Sequence, residues 1–227
     1  EDGHAGGRFP RPDLFTRLDS VLSKSKPSLI FASYGMNCGI YQPFDQERFS
    51  AYKQGIERLK NKAEAAGAKI VFITPTPYDS HGKAHPYVGV LDKYSEWLVS
   101  CRDDGWMVID LHSHMLAALE EAKKANPSFT YQKDKVHPNT QGHWVMTQPI
   151  LQWFGDTPSS RASSVTEVIN LHKLPAGIKP LIQKRMELKR SAWLTHTGHT
   201  RPGVKAGLPL DKAKIEEKKL NREINRL

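Results

Sequence analysis

The chain has 227 residues, 38% of them hydrophobic, and carries a formal net charge of +9 at pH 7. This length suffices for one sizeable core and an appendage. No apolar run approaches the roughly 18 residues of a membrane span, and the N-terminal sequence lacks the basic start and apolar stretch of a signal peptide. The two cysteines, Cys38 and Cys101, are too few for a disulfide scaffold and stand in no zinc-binding spacing, so they leave the redox compartment open.

The positive charge is confined to the last third of the sequence. Residues 1–160 contain 18 Lys and Arg against 18 Asp and Glu, whereas residues 161–227 contain 15 against 6. In that last third, basic residues are mixed with glutamates at helical spacing, and aromatic residues are few. This pattern favours solvated amphipathic helices and makes binding of nucleic acid or another polyanion the weaker alternative.

Short apolar runs alternate with amphipathic segments through the first two thirds of the sequence. Apolar runs bounded by turn residues predict buried strands, and apolar residues every three or four positions predict helices. A helical pattern over 14–22 comes first. The predicted elements that follow are a strand over 28–34, a helix from Asp45 to Gly67, a strand over 69–75, a helix over 88–105, a strand over 107–112 and a helix over 113–125.

Nearly continuous apolar strands that alternate with helices are typical of a parallel sheet covered on both faces. The predicted fold class is therefore α/β, with three layers. In such sheets the reacting groups gather at the carboxyl ends of the strands. We therefore expect functional residues in the segments 34–37, 76–79 and 110–114.

The last part of the chain differs in kind. Residues 155–164 are small and polar without apolar periodicity, which predicts a linker or an exposed turn. Residues 176–194 and 209–226 have the pattern of two amphipathic helices. The sequence thus divides into an α/β domain, residues 1–155, and a linker with a basic helical extension, residues 156–227. The extension is too small for a core of its own, so we expect it to pack on the α/β body.

The most specific local motif places Asp134 three residues before His137, with Pro138 and Asn139 following. A carboxylate at this spacing can accept a hydrogen bond from the imidazole Nδ1–H and leave Nε2 ready to take a proton. Pro138 favours extended backbone at His137 and so stiffens the pair. The motif fits equally well a plain loop in which Asn139 caps the next helix, so it leaves both interpretations open.

A second motif, Gly35-Met36-Asn37, directly follows the first predicted strand. Asn37 can direct its side-chain N–H at a developing oxyanion, and Gly35 permits the tight turn that places it there. Glycine and asparagine are also common turn residues. Taken alone, this motif indicates no more than a turn.

The remaining histidines give weaker signals. No carboxylate or cysteine completes a familiar metal-ligand spacing, so solvated loops are the simpler interpretation of His81, His85, His112 and His114. Near the C-terminus, a turn that links two helices explains the loop of His196, His199 and Arg201 better than a substrate contact does.

Together the two motifs, in their order and within this α/β layering, resemble the SGNH, or GDSL-type, esterase and acylhydrolase family over residues 15–155. The resemblance implies a flavodoxin-like fold in which Asp134 and His137 assist a serine nucleophile, while Gly35 and Asn37 belong to the oxyanion hole. It also implies cleavage of small acyl esters, including acetyl esters on carbohydrate, through an acyl-enzyme and without a metal or organic cofactor. The segment 193–203 is similar to a tail of bacterial carbohydrate esterase relatives, and only this resemblance suggests a periplasmic or secreted location.

The sequence departs from the family pattern at several points. Cys38 stands where the family has an acidic residue after the asparagine. The Gly-Asp-Ser string of the nucleophile is absent, and no recognisable version of the family's glycine block surrounds Gly3, Gly6 or Gly7. Ser20 lies in a helical pattern ahead of the first strand and too close to the glycine-asparagine motif for a nucleophile turn, so we expect a helix serine there.

Two explanations fit the missing nucleophile. Either the nucleophile strand lies upstream of Glu1, or the chain is a non-catalytic relative that binds carbohydrate or serves as a scaffold. A parallel sheet without its first strand exposes apolar side chains and unpaired backbone groups, which favours the first explanation. On that explanation, the 227 residues alone are expected to lack hydrolytic activity.

Overall fold

A computed structural model describes residues 14–199 and 203–227. These residues form two compact units, one of residues Pro27–Ser164 and one of residues 14–26, 165–199 and 203–227. The helices are, in chain order, α1 Leu14–Ser25, α2 Gln46–Ala65, α3 Tyr87–Ser100, α4 Leu111–Ala125, α5 Thr140–Trp153, α6 Thr157–Ser160, α7 Val165–Leu171, α8 Ile178–His196 and α9 Leu210–Arg226. None of these helices is long and apolar enough to cross a membrane.

The first unit contains a parallel sheet. Its strands in the described residues are β1 Leu29–Ala32, β2 Lys69–Ile73 and β3 Met107–Ile109, in the order β1-β2-β3. Leu29 is paired with Lys69, and Val71 with Met107. The predicted α/β class and its three strands are confirmed.

The third strand is shorter than predicted. The apolar run 107–112 continues past β3, but Asp110 accepts a hydrogen bond from the backbone N–H of Ser113 and so caps α4. Leu111 and His112 therefore belong to the first turn of a helix. The prediction of a strand to residue 112 was wrong because a cap, and not the apolar run, sets this boundary.

Both faces of the sheet are covered, which gives the predicted three layers. On one face, Val71, Ile73 and Ile109 pack with residues of α4 and α5 in a single buried cluster. On the other face, the Phe72 and Trp106 rings lie 5.2 Å apart, and α2 packs on α3 through aromatic side chains. Each large apolar side chain buried in this way contributes about 1.5–3 kcal/mol of transfer free energy.

The end of the first unit is more ordered than a linker. Asp156 caps α6, within the segment 155–164 that was predicted as a linker or exposed turn. Ser159 and Ala162 are buried, and the indole N–H of Trp144 donates to the carbonyl of Ala162 over 2.8 Å. The side chains of Asp156 and Trp144 bond to the backbone of Ser159 and Ala162, respectively. Hydrophobic periodicity cannot predict such side-chain-to-backbone bonds.

The second unit contains α1 and α7–α9. The two predicted C-terminal helices are present as α8 and α9, and their contacts include Arg185 with Asn221 at 2.8 Å and Lys189 with Glu217 at 2.5 Å. A Cβ on Gly207 would lie 2.3 Å from the backbone of Ser191, so only glycine fits that approach.

Candidate functional site

Asp134 and His137 form a hydrogen-bonded pair at the surface of the first unit. Asp134 Oδ2 lies 2.6 Å from His137 Nδ1. Asp134 Oδ1 accepts the backbone N–H groups of His137, at 2.8 Å, and of Val136, at 3.0 Å. The backbone N–H of His137, followed by its ring and the backbone N–H of Val136, holds the pKa of Asp134 well below its usual range. An ionised carboxylate therefore faces Nδ1 and makes Nε2 the basic nitrogen.

The loop that carries this pair is tied to the residues after β2. Gln132 is fully buried, and its amide nitrogen donates to the carbonyls of Pro77 and Val136, each over 3.0 Å. Val136 directly precedes His137. Gln132 thus fixes the backbone from which the histidine projects.

Asp79 makes the second tie. Its buried carboxylate accepts the Thr130 hydroxyl over 2.5 Å and the backbone N–H of His81 over 2.9 Å. Its own backbone N–H donates to the carbonyl of Lys135 over 3.1 Å, and Lys135 has φ 74°, a left-handed conformation that non-glycine residues adopt at some energetic cost. Lys123 Nζ lies 3.6 Å from the carboxylate, so the buried charge has a partner.

The segment that contains the Asp134–His137 hydrogen bond also begins a helix. Asn139 accepts the backbone N–H of Gly142 over 2.9 Å and caps α5. Its backbone N–H donates to the carbonyl of Tyr131 over 2.7 Å. A Cβ on Gly142 would lie 2.8 Å from Pro138, so the turn packs closely. The helix start therefore anchors the histidine loop from its C-terminal side.

The glycine-asparagine motif forms a tight turn after β1. Gly35 has φ 135°, and a Cβ there would lie 2.9 Å from the Pro75 ring, so conformation and space both require glycine. The backbone N–H of Cys38 donates to the Gly35 carbonyl over 2.9 Å and closes the turn. The Tyr41 hydroxyl donates to Asn37 Oδ1, an orientation that makes the Asn37 amide nitrogen the group able to donate to an oxyanion.

Tyr87 stabilises this turn through two hydrogen bonds. Its buried hydroxyl donates to the carbonyl of Met36 over 2.5 Å and accepts the backbone N–H of Gly39 over 3.2 Å. Burial raises the pKa of Tyr87 far above its usual range, so the phenol keeps the proton that it donates. A Cβ on Gly39 would lie 2.6 Å from the Tyr87 ring.

The structure thus brings Asp134 to His137, and Gly35 to Asn37, in one unit. The turn with Asn37 follows β1, and Asp79, which bonds to the histidine loop, follows β2. The segment 76–79 was expected to contain functional residues, but the roles of Gln132 and Asp79 were not predicted. A buried glutamine in an irregular stretch carries no periodic signal that could have revealed it.

The other histidines are engaged in local contacts. His112 is buried in α4, where Nε2 lies 2.8 Å from Asp92 and Nδ1 lies 3.2 Å from the Pro75 carbonyl. Both ring nitrogens of His112 therefore face protein oxygens. His81 Nε2 lies 2.9 Å from the Gln132 carbonyl. In residues 14–199 and 203–227, no group of three or more His, Cys, Asp or Glu could hold a metal ion.

The remaining candidates are one serine, the two cysteines and residues near the C-terminus. Ser20 lies in α1, as expected. Cys38 and Cys101 are both buried free thiols, and burial raises the pKa of Cys101. The His196 ring lies 5.6 Å from the Trp193 ring. The glycines at 3, 6 and 7 and the arginine at 201 lie outside the described residues.

Comparison with known proteins decides the family. Residues 3–145 match the model of the GDSL-like Lipase/Acylhydrolase family. The chain belongs to this family. The resemblance inferred from the two motifs is thereby confirmed, whereas the roles of individual residues stay predictions. A search of curated protein sequences finds no match.

Solved structures share the fold at low sequence identity. LAE5, an alpha/beta hydrolase from the metagenome of Lake Arreo, Spain, is 19% identical, with a TM-score of 0.53 over 64% of this chain and 67% of its own. An Axe2 variant, an acetylxylan esterase from Geobacillus stearothermophilus, is 21% identical, with a TM-score of 0.50 over 63% and 66%. BT4096, a gut microbial diltiazem-metabolizing enzyme, is 24% identical, with a TM-score of 0.50 over 62% and 36%. The chain thus spans about a third of BT4096 and just under two thirds of Axe2.

Proposed function

We propose that this protein is a serine esterase that cleaves small acyl esters, in particular acetyl esters of carbohydrates, through an acyl-enzyme. The observation that carries the proposal is the bond between Asp134 and His137 Nδ1 in a chain of the GDSL-like family. A serine nucleophile needs a histidine base in one fixed tautomer, and a carboxylate bonded to Nδ1 fixes that tautomer.

The proposed reaction has two halves. A serine hydroxyl attacks the ester carbonyl carbon while His137 Nε2 takes the serine proton, and the Asn37 amide donates to the oxyanion that forms. The carbon–oxygen bond to the alcohol then breaks, and His137 returns the proton to the departing alkoxide. In the second half, His137 takes a proton from water, and the resulting hydroxide attacks the acyl carbon. The bond from this carbon to the serine oxygen then breaks, and His137 returns the proton to that oxygen, which releases the acid and regenerates the serine and the neutral histidine.

The known structures support this assignment of roles. Axe2 is described as an acetylxylan esterase, and its alanine variants at a serine, an aspartate and a histidine three residues after that aspartate are described as catalytic mutants. The spacing between its aspartate and histidine equals that between Asp134 and His137. By analogy, acetyl esters of a polysaccharide are the first substrates to test.

In this proposal the attacking serine comes from outside the 227 residues, because the sequence contains no Gly-Asp-Ser string. The same observation favours the second candidate, a non-catalytic relative that binds carbohydrate or serves as a scaffold. The two candidates differ in one chemical property. Only the esterase has a serine that an electrophile can trap.

The test is labelling of the full-length protein with a fluorophosphonate probe, followed by peptide mass spectrometry and an assay of p-nitrophenyl acetate hydrolysis. We expect one labelled serine, with labelling and turnover both reduced by several orders of magnitude in His137→Ala. The matched control is His143→Ala, an exposed histidine in α5, which should behave like the wild type. Absence of labelling, or normal turnover in His137→Ala, would establish the non-catalytic candidate or a different base.

A further inference from the structure

Three neighbouring aromatic side chains form a cluster beside the proposed oxyanion donor. We call Tyr41, Tyr78 and His85 the aromatic platform. The Tyr41 and Tyr78 ring centroids are 6.2 Å apart, and those of Tyr78 and His85 are 4.7 Å apart. Tyr41 is 38% exposed, and the other two side chains are partly exposed. Part of each of these side chains is therefore accessible to solvent, in segments that follow the carboxyl ends of the strands, where open α/β sheets bind their ligands.

The aromatic platform contacts one half of the candidate site directly and is next in sequence to a residue that bonds to the other half. On one side, the Tyr41 hydroxyl donates to Asn37. On the other side, the residue after Tyr78 is Asp79, whose backbone N–H donates to Lys135 in the histidine loop. A group bound on these rings would therefore lie beside the proposed oxyanion donor, next to the segment that is hydrogen-bonded to the histidine loop.

The rings are also held in place before any ligand binds. The centroid of the buried Tyr87 ring lies 5.0 Å from that of Tyr41 and 5.6 Å from that of Tyr78. The Tyr87 hydroxyl is held by its hydrogen bond to the Met36 carbonyl in the turn after β1. The backbone of Tyr41 has φ 60°, which fixes an uncommon conformation in the loop. Rigid aromatic side chains lose little conformational entropy when a ligand stacks on them.

We propose that the aromatic platform is a subsite for a sugar ring, namely the pyranose that carries the ester and departs as the alcohol. This inference rests on the proposed function and names the group that the platform selects. The C–H face of a pyranose fits the electron-rich face of a tyrosine ring, and its hydroxyls can bond to the phenol and imidazole groups at the rim. An aliphatic acyl chain would gain less here, because all three rings carry polar atoms.

Tyr41 also acts as a positioning residue in this proposal. Its hydroxyl holds the oxygen of the Asn37 amide, which turns the amide nitrogen to the side where it can donate. The ring of Tyr41 therefore serves sugar binding, whereas its hydroxyl serves transition-state stabilisation. These two roles can be separated by mutation.

The test of binding is calorimetric titration of the full-length protein with unacetylated xylotetraose, which needs no catalysis. We expect Tyr78→Ala and Tyr41→Ala each to weaken binding at least tenfold, while Tyr41→Phe binds like the wild type. Phe154→Ala is the matched control, because Phe154 is an exposed aromatic of the same unit outside the platform. Circular dichroism melting of each variant separates a lost contact from a lost fold. Unchanged affinity in a folded Tyr78→Ala variant overturns the subsite.

The test of positioning is the hydrolysis of acetylated xylo-oligosaccharide. In Tyr41→Phe we expect kcat to fall about tenfold with KM unchanged, because only the orientation of Asn37 is lost. A Tyr41→Phe variant with wild-type kcat overturns the positioning role. If xylotetraose binds to the platform and no ester is cleaved, the subsite stands and the esterase proposal fails. If esters are cleaved and xylotetraose does not bind, the subsite fails and the esterase proposal stands.

Discussion

The carboxylate of Asp134 is exposed, yet it is held by three hydrogen bonds from the four-residue segment that it begins. Two of the donors are backbone N–H groups, so the carboxylate is oriented even when the histidine ring moves. A single ion pair at such an exposed position would contribute little by itself. The backbone donors explain how a surface carboxylate can still favour one tautomer of His137.

The first prediction concerns the pKa of this carboxylate. A carbon-detected NMR titration should place the pKa of Asp134 below the ordinary aspartate value of about 3.9. His137→Ala removes the ring donor and keeps the backbone donors, which are the larger cause, so the pKa should rise only part of the way back. Because the folded-state pKa is the lower one, the stabilisation is present above the unfolded value and is lost as the pH falls through the folded value.

The control for this titration is His143→Ala, which should leave the pKa of Asp134 unchanged. An ordinary pKa in the wild type would contradict the network of three donors. A complete return to about 3.9 in His137→Ala would show that the ring, and not the backbone, holds the charge.

The second prediction concerns Asn37. In the full-length protein, Asn37→Ala should lower kcat for acetyl esters by about 10²- to 10³-fold with KM little changed, because an oxyanion donor acts mainly on the transition state. Steady-state kinetics measures both constants. Asn170→Ala, an exposed position in α7, is the control. An effect confined to KM would make Asn37 a ground-state substrate contact.

At the scale of elements, the sequence predicted regular structure better than it predicted the loop between α4 and α5. Continuous apolar runs predicted the strands, and Asp45 was correctly expected to cap α2, where it accepts the backbone N–H of Arg48 over 2.7 Å. These signals are local and periodic. The end of β3 was misjudged because the cap at Asp110 overrides an apolar run.

The loop of residues 130–139 is a different case, since side-chain bonds to distant backbone groups determine its shape. Spacing alone predicted the contact between Asp134 and His137, because only two residues separate them. The contacts of Gln132 with Pro77 and of Asp79 with Lys135 join segments that are far apart in the sequence. Such contacts depend on how the strands and loops pack together, and a local sequence pattern does not specify that packing.

The third prediction tests this loop. Gln132→Leu keeps the approximate side-chain volume but leaves the carbonyls of Pro77 and Val136 without their donor. The free energy of unfolding should therefore fall by about 1–3 kcal/mol. The kcat should fall as well, because the backbone next to His137 loses its fixed position. Urea denaturation and steady-state kinetics measure the two effects.

The control is Gln152→Leu at an exposed position of α5, where the expected change in stability is within about 0.5 kcal/mol. A folded Gln132→Leu variant with normal stability and normal kcat would show that the histidine loop holds its shape without this amide. The Asn139 cap and Asp79 would then be its main supports.

At the scale of the whole molecule, the candidate site and the basic charge lie in different units. All four proposed site residues belong to the first unit, whereas the excess of Lys and Arg falls in the last third of the sequence. On α8 and α9, some of these charges are paired with glutamates, as in Lys189 with Glu217 and Lys219 with Glu216. Exposed pairs of this kind contribute at most about 1 kcal/mol each, so the stability of the chain depends mainly on its apolar core.

The last prediction compares one substitution in the two units. Met115 is 1% exposed in the cluster between the sheet and α4, and Met186 is 63% exposed on α8. Met115→Ala removes buried contacts and leaves a cavity, which should lower the free energy of unfolding by about 2–5 kcal/mol. Met186→Ala is the matched control and should change it by no more than about 0.5 kcal/mol. Urea denaturation followed by far-UV circular dichroism gives both values.

If the two variants unfold at the same urea concentration as the wild type, the cluster on this face of the sheet does not stabilise the protein. If Met186→Ala is the more destabilised, Met186 is buried in solution and α8 packs through a face that the structure leaves exposed.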